Sequence, residues 1–182
     1  LAVFKALRTK LASRPGSVPC ILTPHLAEFA ALAQTTVKEC LKDRCKIVQD
    51  QADLLNCTVI CKDARTLIAM PGSGPEETRE KGAVPGQDSR PEALSGKGES
   101  PCILYLNTNG NSGMATAGSG DMLAGIIASL LAQGVPATEA ARAGVYIHAL
   151  SGDITAEKLS KRSMTVSDML DNLPYAFLRI EE

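Results

Sequence analysis

The residues best placed to do chemistry lie in one run, Asn107-Thr108-Asn109-Gly110-Asn111-Ser112-Gly113-Met114-Ala115-Thr116-Ala117-Gly118-Ser119-Gly120-Asp121. It is small and polar, it follows a strand predicted over Cys102 to Leu106, and it opens a helix predicted over Asp121 to Gln133. Gly118 and Gly120 can take positive φ and let the backbone approach a ligand. Free amides at a helix start point one way and favour an anion, and phosphate is the natural occupant. Asp121 is the odd member, because a carboxylate beside phosphate repels the ligand unless it has a task. Such a task is to take the proton of a hydroxyl as that hydroxyl attacks phosphorus, with the amides and Mg2+ offsetting the charge. The other reading of Asp121 is a helix cap: Asp is a good N-cap, and Gly-x-Gly-Asp alone is a weak signal.

Two further groups could act at such a site. Leu22-Thr23-Pro24-His25-Leu26-Ala27-Glu28 sits where a predicted strand meets a predicted helix, a usual ligand position at the carboxyl end of an open sheet. Lys62 ends another predicted strand and could meet a phosphate as a point charge. Taken alone, each has a plainer reading: His25 as a surface imidazole, Glu28 as a first-turn acid favoured by the helix dipole, and Lys62 as a solvated turn residue.

The elements that must position these groups follow from hydrophobic spacing. Apolar residues at 3, 4, 7 and 11 predict a helix over 1–12, broken by Arg-Pro-Gly. Val18 to Thr23 reads as a short buried strand and Leu26 to Ala33 as a helix packed on it. Thr36-Val37-Lys38-Glu39 has capping-box spacing and starts another helix, with Leu41, Cys45 and Val48 in its neighbourhood. Asn56 to Lys62 reads as a central strand, and Arg65 to Met70 as its neighbour after a tight turn. From Pro71 to Pro101 the chain is dominated by Gly, Pro, Ser, Glu and Lys and cannot bury enough surface to order itself. It reads as a flexible insertion at 71–101 within a hairpin-like connection. Met122, Leu123, Ile126, Ile127, Leu130 and Leu131 form one apolar helix face, ended by Gly134 and Pro136. A further helix is predicted from Thr138 towards Leu159, broken near Gly152. Thr165 to Asp168 reads as an N-cap with an acidic first turn. The last helix, with Met169, Leu170, Leu173 and Phe177, should kink or split at Pro174. Strands alternating with helices imply a layered α/β fold with a mostly parallel central sheet flanked by helices.

Composition narrows the function. The 182 residues fit one domain, and 45% apolar content with 3% aromatic and no Trp implies a core of Ala, Leu, Ile and Val. A net charge of -1 without dense basic runs argues against nucleic acid or an anionic membrane as partner. No apolar stretch reaches the ~20 residues of a spanning helix. The six Cys include no C-x-x-C pair, which disfavours zinc. They read as small buried hydrophobes and reduced thiols, a cytoplasmic pattern. The chain opens on Leu1 rather than Met, which suggests a piece of a longer protein.

Gly110-Asn111-Ser112-Gly113-Met114-Ala115-Thr116-Ala117-Gly118-Ser119-Gly120-Asp121-Met122-Leu123-Ala124-Gly125 closely resembles the signature of the NAD(P)H-hydrate dehydratases of the ribokinase-like superfamily. Thr23-Pro24-His25 with Glu28 resembles that family's Thr-Pro-His-x-x-Glu motif, and Lys62-Asp63-Ala64-Arg65-Thr66 its Lys-Gly-x-x-Thr segment. The resemblance runs from about Val18 to the C-terminus, interrupted at 71–101. It implies one partial ribokinase-like domain over 1–182, lacking the family's N-terminal strands and a glycine-rich substrate-contacting turn. It implies nucleotide contacts from Lys62, Asp63, Ala64, Arg65, Thr66, Asn111, Gly113, Met114, Ala115, Thr116, Gly118, Ser119 and Gly120. It further implies substrate contacts from His25 and Asp121, catalysis by Asp121, and an indirect role for Glu28 at the metal. Two departures bear on the nucleotide: Asp63 replaces Gly, adding negative charge and disfavouring a positive-φ turn, and Ala117 replaces Gly. His148, in a segment matching the family's next helix, is expected to pack.

The implied reaction is the ADP- or ATP-dependent dehydration of (6S)-hydrated NADH or NADPH, with Mg2+, by phosphorylation of the ring hydroxyl and loss of phosphate. A homo-oligomer is implied as well. The alternatives are a ribokinase-like kinase acting on a small alcohol and a catalytically incomplete remnant that only binds nucleotide.

Overall fold

A computed structural model describes residues 2–13, 19–72 and 103–181. Helix α1 (Ala2–Ala12) precedes strand β1 (Ile21–Leu22), and α2 (Leu26–Leu32), α3 (Val37–Lys42) and α4 (Arg44–Leu55) follow. Strands β2 (Thr58–Cys61), β3 (Leu67–Met70) and β4 (Ile103–Leu106) complete a four-stranded sheet of order β1-β2-β3-β4. After a 3-10 turn at Ser112–Met114 come α5 (Ser119–Ala132), α6 (Ala137–Leu159), α7 (Val166–Asp171) and α8 (Leu173–Glu181).

The strand alternation of period two builds the layers. Val59, Cys61, Leu67 and Ala69 turn to one face and pack with Phe29 and Ala30 of α2 and Val48 and Ala52 of α4. Ile60, Ile68 and Met70 turn to the other and meet Leu123 and Ile127 of α5 and Ala141 and Val145 of α6. A third cluster joins Met122, Ile126, Ile147, Ile154, Met169 and Ala176 and docks α7 and α8 on the α5–α6 pair. The layered α/β architecture, the predicted first helix and the wholly buried β2 agree with the sequence reading.

The expectation of a mostly parallel sheet is corrected. Among the described residues only β1–β2 is parallel; β2–β3 and β3–β4 are antiparallel. For β2–β3 the reason lies in the connection at 62–66, far shorter than the dozen or more residues of a parallel crossover. Four further expectations change. The strand predicted over 18–23 forms ladder only at Ile21–Leu22 and is half-buried, because it is the edge of the described sheet. The helix begun at Thr36 stops at Asp43, which ends α3 and caps α4 by accepting the Lys46 amide at 3.3 Å. Helix α6 runs unbroken through Gly152, where a Cβ would lie 2.5 Å from Met114 Sδ, so the glycine admits a packed side chain rather than a kink. Leu131, placed on the apolar face of α5, is 39% exposed. The split at Pro174 occurs as expected, with Pro174 in the first turn of α8. Most of the insertion predicted at 71–101 lies outside the described residues.

No described helix is long and apolar enough to cross a membrane.

Candidate functional site

The carboxyl ends of β1, β2 and β4 and the start of β3 meet at one end of the sheet. Lys62 donates its amide to Pro24 O at 2.9 Å, and His25 and Lys62 form an isolated parallel bridge. The segment 62–66 is tied in turn to the segment after β4. Asn107 N donates to Thr66 O at 2.9 Å and Arg65 Nη1 to Thr108 O at 3.4 Å. Three sequence segments far apart in the chain thus share one rim.

Helix α5 starts there. Gly118 is its N-cap at φ 85, a left-handed conformation that costs a side chain roughly 1–2 kcal/mol. No side chain caps the helix, so Asp121 is not its cap. Asp121 lies in the first turn, exposed, and its carboxylate has no partner among the described residues. The amides of Gly120 and Asp121 likewise have no acceptor among those residues, whereas Ser119 N reaches Thr116 O at 3.3 Å and Met122 N reaches Gly118 O at 2.9 Å. Lys62 spans the gap from β2, and a Cβ on Gly120 would sit 2.8 Å from its Nζ. Glycine at 120 therefore lets an ammonium settle against the helix start. Two open amides, a positive helix end and a cation are the groups that suit an anion, with a carboxylate beside them.

His25 caps α2. Its Nδ1 accepts from Glu28 N at 3.2 Å, while Glu28 Oε2 accepts from His25 N at 2.8 Å. That bond assigns the proton of a neutral ring to Nε2, which lies 3.4 Å from Glu28 Oε1 on an exposed imidazole. Glu28 thus serves the local fold through both carboxylate oxygens.

The remaining residues divide by what their side chains do. Asn111 Oδ1 accepts from Gly113 N at 2.9 Å, and its Nδ2 donates to Gly152 O at 3.0 Å and Asp153 Oδ1 at 2.9 Å. Met114 packs on Gly110 and Gly152. These two side chains hold the loop. A Cβ at Gly113 would meet Lys161 O at 2.5 Å, so this glycine is set by packing. Ala115 and Ala64 are exposed, and Thr116 is half-buried. Thr66 Oγ1 donates to Asp63 O at 3.4 Å. The charge of Asp63 has a partner: Arg44 Nη1 pairs with Asp63 Oδ2 at 2.5 Å. Neither Asp63 nor Ala117 has positive φ, so neither turn requires glycine.

Two site residues escaped the sequence reading. Asp153 Oδ2 accepts from Gly110 N at 2.8 Å. His148, only 9% exposed, places Nε2 3.2 Å from Ser119 Oγ. It packs, as expected, and it also contacts the first turn of α5. Burial pushes its pKa down to about 4; a hydrogen bond with the Ser119 backbone opposes the fall and the Lys62 charge adds to it. The imidazole is neutral at pH 7. The available signal was three polar residues, His148, Ser151 and Asp153, in the middle of the helix, among the apolar Ile147, Ala149, Leu150 and Ile154.

The sequence profile of the NAD(P)H-hydrate dehydratases matches residues 3–84 and 99–175. The match begins earlier than the Val18 boundary of the sequence reading, and its gap, 85–98, is narrower than 71–101. The chain is similar to the bifunctional NAD(P)H-hydrate repair enzyme Nnr of Moorella thermoacetica, 38% identical over 164 residues, 90% of this chain and 26% of that protein. It is similar in structure to the ADP/ATP-dependent NAD(P)H-hydrate dehydratase of Bacillus subtilis co-crystallized with ATP/Mg2+, at 25% identity and TM-score 0.69, over 88% of this chain and 48% of that one. A ribokinase-like superfamily protein of Enterococcus faecalis matches at 26% identity and TM-score 0.60, over 96% of this chain and 50% of that one. The chain therefore spans half or less of each of these proteins. The profile match covers most of the sequence and includes all three segments that build the rim, and the chain belongs to the NAD(P)H-hydrate dehydratase family.

Proposed function

We propose that this chain carries out the nucleotide-dependent dehydration of (6S)-hydrated NADH and NADPH, with ADP or ATP as phosphoryl donor. The observation that carries the reading is the pairing of an unpartnered carboxylate, Asp121, with the open amides of Gly120 and Asp121 and the Lys62 ammonium. That pairing suits phosphoryl transfer to a hydroxyl, in which a site must bind phosphate and take a proton within one small volume.

The ring hydroxyl attacks the terminal phosphorus of the nucleotide, and its proton passes to Asp121. The bond from that phosphorus to the bridging oxygen breaks, and the shortened nucleotide leaves. The ring C–O bond then breaks with its electron pair on phosphate, and loss of a proton from the neighbouring ring carbon restores the double bond. Lys62 and the first-turn amides bear the charge that develops on the phosphate oxygens. The Nε2–H of His25, exposed at the same rim, donates to the carboxamide end of the hydrated ring. No group of His, Cys, Asp and Glu among the described residues would hold an ion by itself, which suits Mg2+, a hard cation that would be held mostly by phosphate oxygens and water. Glu28, already bonded to His25, would reach it through water, and the ion would neutralise phosphate charge. Buried thiols such as Cys40 and Cys61 suit a cytoplasmic setting, and exposed Leu170, Phe177 and Leu178 suit a homo-oligomer.

The test is recovery of NADH from hydrated NADH with ADP or ATP and Mg2+, with phosphate release followed in parallel. Asp121→Asn is expected to keep the fold and nucleotide binding while turnover falls by roughly 100-fold or more. Equal turnover in the variant, or NADH recovery without phosphate release, refutes the reading.

A further inference from the structure

We infer that His148 and Asp153 are positioning residues of the phosphate site: from one helix they hold the two ends of the loop that carries it. The inference rests on the phosphate role proposed for Gly120 and Asp121. The loop from Asn107 to Gly118 is rich in glycine and polar residues, and such a segment pays a large entropy cost to hold one conformation. Its order comes from α6. Near its start, Asp153 takes the Gly110 amide at 2.8 Å and the Asn111 Nδ2 at 2.9 Å through separate carboxylate oxygens. Near its end, His148 meets Ser119 Oγ at 3.2 Å, at the first residue of α5. Between them Met114 seats on Gly152, and the Gly152 carbonyl accepts from Asn111.

The residue types go beyond what packing needs. An apolar side chain would fill the place of His148 in a helix whose neighbours Ile147, Ala149 and Ser151 are also buried. An imidazole buried beside a cation is tolerated only because it is neutral and bonded. What it provides is a directional contact to Ser119, adjoining the amides of Gly120 and Asp121. Asp153 acts likewise: it occupies donors of Gly110 and Asn111 that would otherwise compete for phosphate, and fixes the loop before ligand arrives. Preorganisation of this kind raises the fraction of molecules competent to bind, so its loss weakens affinity more than turnover at saturation.

The experiment measures Mg2+-ADP and Mg2+-ATP binding by calorimetry, and turnover at saturating hydrated NADH, for the parent chain, Asp153→Asn, His148→Leu and His148→Gln. Asp153→Asn and His148→Leu are expected to raise the nucleotide Kd and KM by roughly 10- to 100-fold while kcat changes far less. His148→Gln, whose amide can reach Ser119, is expected to recover most of that loss. If His148→Leu does not fold, Ser119→Ala removes the same contact from the loop side and must raise Kd in the same way. Unchanged Kd in the folded variants overturns the inference and leaves the proposed function standing. So does a fall in kcat with Kd intact, or a Gln variant no better than Leu. A parent chain that binds neither nucleotide overturns both.

Discussion

Acidification should cost this protein about 3 kcal/mol through His148 alone. The ring is buried, and its pKa falls from the ordinary 6.5 to about 4, first because burial penalises the charged form and further because Lys62 is near. In the unfolded chain the imidazole binds a proton below about pH 6.5; in the folded chain it resists until about pH 4. Between those values the unfolded state holds more protons, so stability falls as pH falls. The effect is absent above about pH 6.5, reaches about 2 kcal/mol at pH 5 and about 3 kcal/mol at pH 4, at 1.36 kcal/mol per pKa unit. Such a loss is a large part of the stability of a typical domain. The assay is urea unfolding at pH 7.5, 6, 5 and 4 for the parent chain and His148→Gln, which retains reach to Ser119 and cannot ionise in this range. The difference between the two pH profiles isolates the imidazole. Asp168, whose pKa is lowered by its Thr165 hydrogen bonds, stabilises above the ordinary Asp value, and that stabilisation is lost only at lower pH. Parallel profiles from pH 7.5 to 4 would show that His148 takes up its proton as readily folded as unfolded, and the account of a ring held neutral by burial would be wrong.

Two other substitutions probe the rim. Gly120→Ala places a methyl 2.8 Å from Lys62 Nζ, the mobile end of a flexible side chain. The ammonium should move aside, leaving the unfolding midpoint nearly unchanged while nucleotide affinity falls roughly tenfold, the order of one charge-assisted hydrogen bond; calorimetry beside urea melts reads both. Asp63→Gly restores the residue of the family motif but strips Arg44 of its carboxylate. The half-exposed pair is worth at most about 1 kcal/mol, and because Arg44 already offsets the charge, nucleotide Kd should stay within roughly twofold. A tenfold gain in affinity would mean that Asp63 repels the nucleotide despite its partner.

What the sequence alone determined was local or compositional. The apolar spacing of Met122, Leu123, Ile126 and Ile127 marks a helix face because side chains three and four apart lie together, and all four are buried. Thr165 to Asp168 announce an N-cap with an acidic first turn because such bonds join residues three apart, and Thr165 caps the helix, with Asp168 closing a capping box that the sequence reading had not named. The string from Gly110 to Gly125 carried the family, and with it the expectation that Asp121, His25 and Lys62 serve one site. That His25 and Lys62 adjoin, and that Lys62 reaches Gly120, are products of strand register and helix docking. The same holds for the contacts that the sequence reading missed: Asp153 to Gly110 across 43 residues, His148 to Ser119 across 29 and Arg44 to Asp63 across 19. Local periodicity carries no information on such pairs, because a residue's partner across the fold depends on which faces of sheet and helix are pressed together. The same packing kept α6 continuous at Gly152, where Met114 occupies the space that a side chain would have taken.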